Sequence, residues 1–124
     1  EASMKSVYME SVNCLLIPLN ALQDGKPHEA SASIAGNDAS LIIVGHASQF
    51  RVYLNQCPHQ GRRLDYAPGQ FLTKSGNIIC AAHGATFNLE SGLCVQGPCR
   101  GESLLDLPAE VIDGRLQVDV SRLA

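Results

Sequence analysis

Cys57-Pro58-His59-Gln60-Gly61 and Cys80-Ala81-Ala82-His83-Gly84 are the two stretches on which the reading of this chain turns. Each combines a Cys, a His and a Gly within five positions, in the patterns C-x-H and C-x-x-H. Together they supply two soft thiolates and two imidazoles. That donor set suits zinc or iron–sulfur chemistry and not the hard, oxygen-seeking Mg²⁺ or Ca²⁺. Gly61 and Gly84 close the two stretches. A residue without Cβ lets the backbone turn sharply and brings amide N–H groups close to a bound group.

Around these stretches the helical period is nearly absent. Short runs rich in β-branched and aromatic residues recur instead, separated by Gly, Pro, Asn and Asp. Val7-Tyr8-Met9 and Cys14-Leu15-Leu16-Ile17 read as two early strands, the second ended by Pro18. Leu19 to Leu22 fit a short helical turn before Asp24-Gly25. Leu41-Ile42-Ile43-Val44 and Phe50-Arg51-Val52-Tyr53-Leu54 predict a hairpin around Ala47-Ser48. Val111-Ile112 and Leu116 to Val120 flank Asp113-Gly114, a strong hairpin signal because both turn residues must accept positive φ. The pieces predict an all-β, antiparallel domain. The stretch from about 56 to 98, rich in Gly, Pro, Cys and His, interrupts the strand pattern.

Composition bounds the function. The chain has 124 residues, the length of one ordinary domain. Hydrophobic residues are 45% and charged residues 17%, a globular composition. The net charge of -3 and the lack of a Lys/Arg run exclude an electrostatic nucleic-acid binder. A mildly acidic surface suits docking to a basic patch on a redox partner. No apolar run approaches the roughly 20 residues that span a bilayer, and the N-terminus lacks a signal-peptide pattern. With Met4 as the start, a cytoplasmic location is expected. Five cysteines, an odd number, argue against a disulfide framework and for metal ligation by a patterned pair.

The whole constellation resembles the Rieske [2Fe–2S] family. The likeness begins with Cys57-Pro58-His59 and Cys80-Ala81-Ala82-His83-Gly84 and continues through Ala85-Thr86-Phe87-Asn88 and Ser91-Gly92. Gly97-Pro98 resembles the Pro-containing loop that covers the cluster, and the Asp113-Gly114 turn resembles the family's closing hairpin. The resemblance implies an antiparallel Rieske-like β-sandwich over 1–124, with a small cluster-binding subdomain inserted at about 56–98. It implies one [2Fe–2S] cluster per chain, with Cys57 and Cys80 on the inner iron and His59 and His83 on the outer. The histidines would bind through Nδ1 and turn Nε2 outward, so the potential would depend on pH. Two thiolates leave an oxidised Fe₂S₂ core about neutral, where four would leave it dianionic. Adding an electron therefore costs less than at an all-Cys site.

Within the family, the high-potential branch has an extra Cys in each ligand loop and Ser and Tyr hydroxyls near the cluster. Arg62, Ala82, Ala85 and Phe87 stand at those positions here. Losing donors to sulfur destabilises the more negative, reduced state. A potential on the order of -150 mV is expected. These features resemble the soluble ferredoxins that take an electron from a flavin-dependent ferredoxin reductase and pass it to a terminal oxygenase. A monomer is expected, and an electron carrier rather than an enzyme. Two alternatives stay open: a small Rieske-like subunit of a larger reductase such as assimilatory nitrite reductase, and a structural Cys₂His₂ zinc module, for which a C-x-H pair is cramped. An oxygenase would need a second iron site, and only His28 and His46 remain for one.

The remaining candidates carry plainer expectations. Cys94 and Cys99 straddle Gly97-Pro98, where they could face the cluster or pair as a disulfide; they read rather as small buried hydrophobes, since a reducing compartment disfavours the disulfide. Cys14 reads as core. His28 is expected in a polar loop and His46 at a strand end, both on the surface. Arg62 and Arg63 read as loop charges that could meet an acidic partner. Phe87 and Pro98 are expected to shield the cluster.

Overall fold

The computed structural model describes residues 8–11, 14–34, 36–46, 49–58, 61–82 and 84–123. Val7, Ala47, Ser48, His59 and His83 lie outside them. Among the described residues twelve strands run in chain order: β1 (Tyr8–Ser11), β2 (Cys14–Pro18), β3 (His28–Ile34), β4 (Asn37–His46), β5 (Gln49–Leu54), β6 (Leu72–Lys74), β7 (Asn77–Ile79), β8 (Thr86–Asn88), β9 (Cys94–Gln96), β10 (Asp106–Leu107), β11 (Ala109–Ile112) and β12 (Arg115–Asp119). They form three four-stranded sheets, ordered β1-β2-β12-β11, β10-β5-β4-β3 and β6-β7-β8-β9. The all-β, antiparallel expectation is met. The chain packs into two units, Glu1–Val52 with Leu107–Ala124, and Tyr53–Asp106.

In the first unit, β2 and β12 alternate buried and open side chains. Their register sets Leu116 opposite Ile17 and Val118 opposite Leu15, so the buried residues meet directly across the ladder. Leu41 to Val44 of β4 are buried without alternation, as on a strand covered on both faces. Asp113 and Gly114, with φ of 54° and 74°, join β11 to β12 with Ile112 opposite Arg115. Leu19–Ala21 form a short 3-10 turn, as the sequence predicts.

Two expectations change. His28 opens β3 instead of lying in a polar loop, and it pairs with Ile43. Its ring is half-buried, and Nε2 accepts the Gln23 N–H at 2.9 Å. Burial, then the charge of Lys26, holds its pKa below the ordinary histidine value. The second change concerns the stretch from 56 to 98, which holds a sheet of its own. β6, β7, β8 and β9 have three residues each, too few for a visible alternation. Ile78 faces Phe87, and Phe87 faces Cys94, so one buried row crosses β7, β8 and β9. Tyr53 anchors the same unit: its ring is buried, its hydroxyl donates to the Leu89 carbonyl at 2.8 Å, and it lies against Gly92.

Candidate metal centre

Cys57 and Cys80 open two loops with the same backbone hydrogen bonds. In the first, Cys57 N–H donates to the Arg62 carbonyl at 2.7 Å and Gly61 N–H to the Cys57 carbonyl at 2.7 Å. In the second, Cys80 N–H donates to the Ala85 carbonyl at 2.7 Å and Gly84 N–H to the Cys80 carbonyl at 2.9 Å. Each Gly sits four residues after its Cys, with φ of 71° and 75°. A Cβ is disfavoured in that left-handed region, which is why glycine occupies both positions. The faint echo between the two sequence stretches is thus a repeated local fold. Ala81 N–H donates to the Leu64 carbonyl at 3.1 Å and ties the second loop to the end of the first.

Both thiols are 1% exposed. Two buried thiols that begin matched turns are a donor set for a soft metal or an iron–sulfur cluster. His59 and His83 fall within the same two loops in sequence, but they lie outside the described residues. Ala85 and Phe87 are fully buried and bring no hydroxyl. Pro98 is exposed.

The chain just after the first loop is held by Asp65 and Asn55, which the sequence did not single out. The Arg63 guanidinium meets Asp65 in a two-pronged pair, Nε to Oδ1 at 3.0 Å and Nη2 to Oδ2 at 2.6 Å. Gly69 N–H also donates to Asp65 Oδ2, at 3.1 Å. Burial opposes the Asp65 charge, but Arg63, Gly69 and Asn55 outweigh it and hold the carboxyl below the usual range. The buried Asn55 accepts Leu64 N–H at 2.9 Å through Oδ1. Arg63 is engaged with Asp65, and both Arg62 and Arg63 are exposed. The only signal was the Arg63-Leu64-Asp65 spacing, common on any surface loop.

Cys94 and Cys99 are buried free thiols, as expected of small buried hydrophobes. They stand face to face, with Cys99 Sγ donating to Cys94 Sγ at 3.3 Å. Burial, with the adjacent Cys94 and Cys57 thiols, pushes Cys99 up to about 12. Gly97 lies so close to the second ligand loop that a Cβ there would be 2.8 Å from the Ala85 Cα.

Comparison with known proteins agrees with this geometry. The family model of the Rieske [2Fe-2S] domain matches residues 14–115. Among curated proteins no sequence matches. The ferredoxin of carbazole 1,9a-dioxygenase from Nocardioides aromaticivorans IC177 is similar in structure, with 22% identity over 84% of this chain and 93% of its own, and a TM-score of 0.63. A chain from a complex of reduced oxygenase and oxidised ferredoxin in carbazole 1,9a-dioxygenase is 23% identical over 88% of this chain and 94% of its own, with a TM-score of 0.69. A chain from the reduced complex of that system gives a TM-score of 0.70 at 16% identity over 87% of this chain. This chain spans only 28% of that longer one.

Proposed function

The chain belongs to the Rieske [2Fe–2S] domain family, and from that premise we propose that it is the ferredoxin of an oxygenase system. It is an electron carrier with a single [2Fe–2S] cluster. In the proposed role it takes one electron from a flavin-dependent ferredoxin reductase and delivers it to a terminal oxygenase. The working form is a cytoplasmic monomer. Residues 1–124 act as one Rieske domain, with the cluster-binding subdomain at about 56–98. No helix among the described residues is long and apolar enough to cross a membrane.

The observation that carries the reading is the pair of matched loops with buried Cys57 and Cys80 at their heads. We assign the cluster to Cys57, His59, Cys80 and His83. The donor chemistry fits: two thiolates and two imidazoles are the mixed ligation of a Rieske centre. When bound, the cluster accepts and releases one electron. The chain's own contribution is to fix two thiols out of water and to deny the site further charge. The neutral Ala85 and Phe87 side chains keep strong donors away from the reduced state, which favours a low potential.

The test is reconstitution. The holoprotein mixed with a flavin ferredoxin reductase and NADH should be reduced, and should support turnover by a Rieske-type ring-hydroxylating oxygenase. Copurification with a large reductase subunit, and no reduction by ferredoxin reductases, would point to the nitrite-reductase subunit reading instead. Zinc in place of iron would remove both.

A further inference from the structure

Cys94 and Cys99 are free thiols whose sulfurs lie 3.3 Å apart, each residue 1% exposed. Cys94 leads β9, and Cys99 follows Pro98 in the turn after that strand. Backbone bonds hold both positions. Cys94 N–H donates to the Glu102 carbonyl at 2.7 Å, Gly101 N–H to the Cys94 carbonyl at 3.2 Å, and Glu102 N–H to the Cys99 carbonyl at 2.9 Å. The residues between and just after the two cysteines, Val95 to Pro98 and Arg100 to Glu102, are all exposed. Two thiols in contact thus lie beneath one surface turn. They are not the pair joined in the high-potential Rieske branch, whose positions here hold Arg62 and Ala82.

The Cys99 S–H is directed at the Cys94 sulfur. A disulfide needs about 2.0 Å between sulfurs, so the gap must close by about 1.3 Å, a shift that side-chain torsions can supply. Once one of the two thiols has reacted, the other is already in place, and the second step is intramolecular. The same turn bears on the second ligand loop. A Cβ at Gly97 would lie 2.8 Å from the Ala85 Cα, and the Ala85 carbonyl accepts the Cys80 N–H at 2.7 Å.

We propose that Cys94 and Cys99 form a reversible disulfide by exchange with a small-molecule disulfide of the glutathione class, and that the closed form latches the 94–99 turn against the Cys80 loop. The effect on a bound cluster rests on Cys80 being a ligand. In the exchange, one protein thiolate attacks the external disulfide, breaks its S–S bond and expels one small thiol. The second protein thiolate attacks the mixed disulfide and expels the other. Two electrons pass from the protein thiols to the external disulfide, and their two protons leave on the released small thiols. The oxidant reaches the buried pair when the exposed turn opens.

The test equilibrates the holoprotein in glutathione buffers of increasing oxidised fraction, quenches with acid, alkylates the unfolded chain and maps its peptides by mass. A Cys94–Cys99 link, two hydrogens light and reversed by reduced glutathione, is expected in the oxidising buffers. In the linked form, amide hydrogen exchange at Gly101 and Glu102 should slow several-fold, and iron release to a chelator should slow with it. In Cys94→Ser and Cys99→Ser neither rate should respond to the buffer. Both cysteines alkylated in the most oxidising buffer, glutathione adducts in place of the link, or a link from either to another cysteine overturns the site. Unchanged amide exchange or unchanged iron release in the linked form overturns the latch. Cys80→Ala separates the two layers of argument: if it keeps its iron, the ligand assignment fails, while the link and the amide exchange still decide the latch.

Discussion

At Asp65, burial works against a charge held just after the Cys57 loop. Its side chain is 2% exposed, yet three donors hold it ionised. Because its pKa is lower folded than unfolded, the unfolded chain binds more protons as acid is added. The contribution is full above the ordinary value of 3.8 and is lost as pH falls through the folded value. Asp65→Asn should lower stability at neutral pH by about 1 kcal/mol, since Arg63 is half-exposed and the pair is partly screened. Its acid unfolding limb should be shallower, read by denaturant titration from neutral to acid pH. His28 titrates at a different window. Its folded pKa is also depressed, so its contribution is present above 6.5 and declines as pH falls below that. In His28→Asn that decline should vanish from the stability profile. At Ala85 a change in potential is expected: Ala85→Ser, if its hydroxyl reaches a cluster sulfur, should raise the midpoint by about 40 mV, the equivalent of about 1 kcal/mol of preference for the reduced state. Neither Asp65 nor Asn55 was legible in the sequence. A polar side chain becomes a brace only when the folded loop turns backbone N–H groups toward it, here Leu64 to Asn55 and Gly69 to Asp65.

Between strands and loops, legibility follows length and turn chemistry. The matched turns at Gly61 and Gly84 and the hairpin at Asp113-Gly114 were readable because positive φ selects their residues. Strand β3 was not. His28-Glu29-Ala30-Ser31-Ala32-Ser33-Ile34 has Ala and Ser where strands usually carry β-branched residues, and it is a strand because seven residues pair with β4. Glu29 takes hydrogen bonds from the Ser31 and Ser40 hydroxyls at 2.9 and 2.8 Å, a polar cross-strand cluster that periodicity does not reveal. The short sheet β6 to β9 was hidden for the same tertiary reason. Its last strand leads into the turn that meets the second ligand loop at Gly97, where φ is 110°. Gly97→Ala should cost about 1–3 kcal/mol from the backbone conformation and the close approach to Ala85. The thermal midpoint should drop and cluster loss should speed up. An unchanged melting temperature would mean that the turn can relax away from Ala85.

For the molecule as a whole, the sequence and structure describe a small all-β carrier whose surface is acidic on balance, at a net charge of -3. Unlike charges steer encounter more than they fix affinity, so transfer to a basic partner should slow as salt rises. Stopped-flow reduction rates across a salt series would show it. The electrochemistry tests the site itself. With His59 and His83 as ligands, as proposed, imidazole protons lost on oxidation would make the midpoint fall at alkaline pH. The most direct measurement is a potentiometric titration of the purified protein followed by EPR. A one-electron signal from a [2Fe–2S] centre is expected, with a midpoint on the order of -150 mV at neutral pH and a decline in strong alkali. Replacing His59 or His83 by Ala should abolish that signal. A midpoint well above zero, a flat alkaline limb, or a protein that holds zinc and gives no reduced-state signal would contradict it.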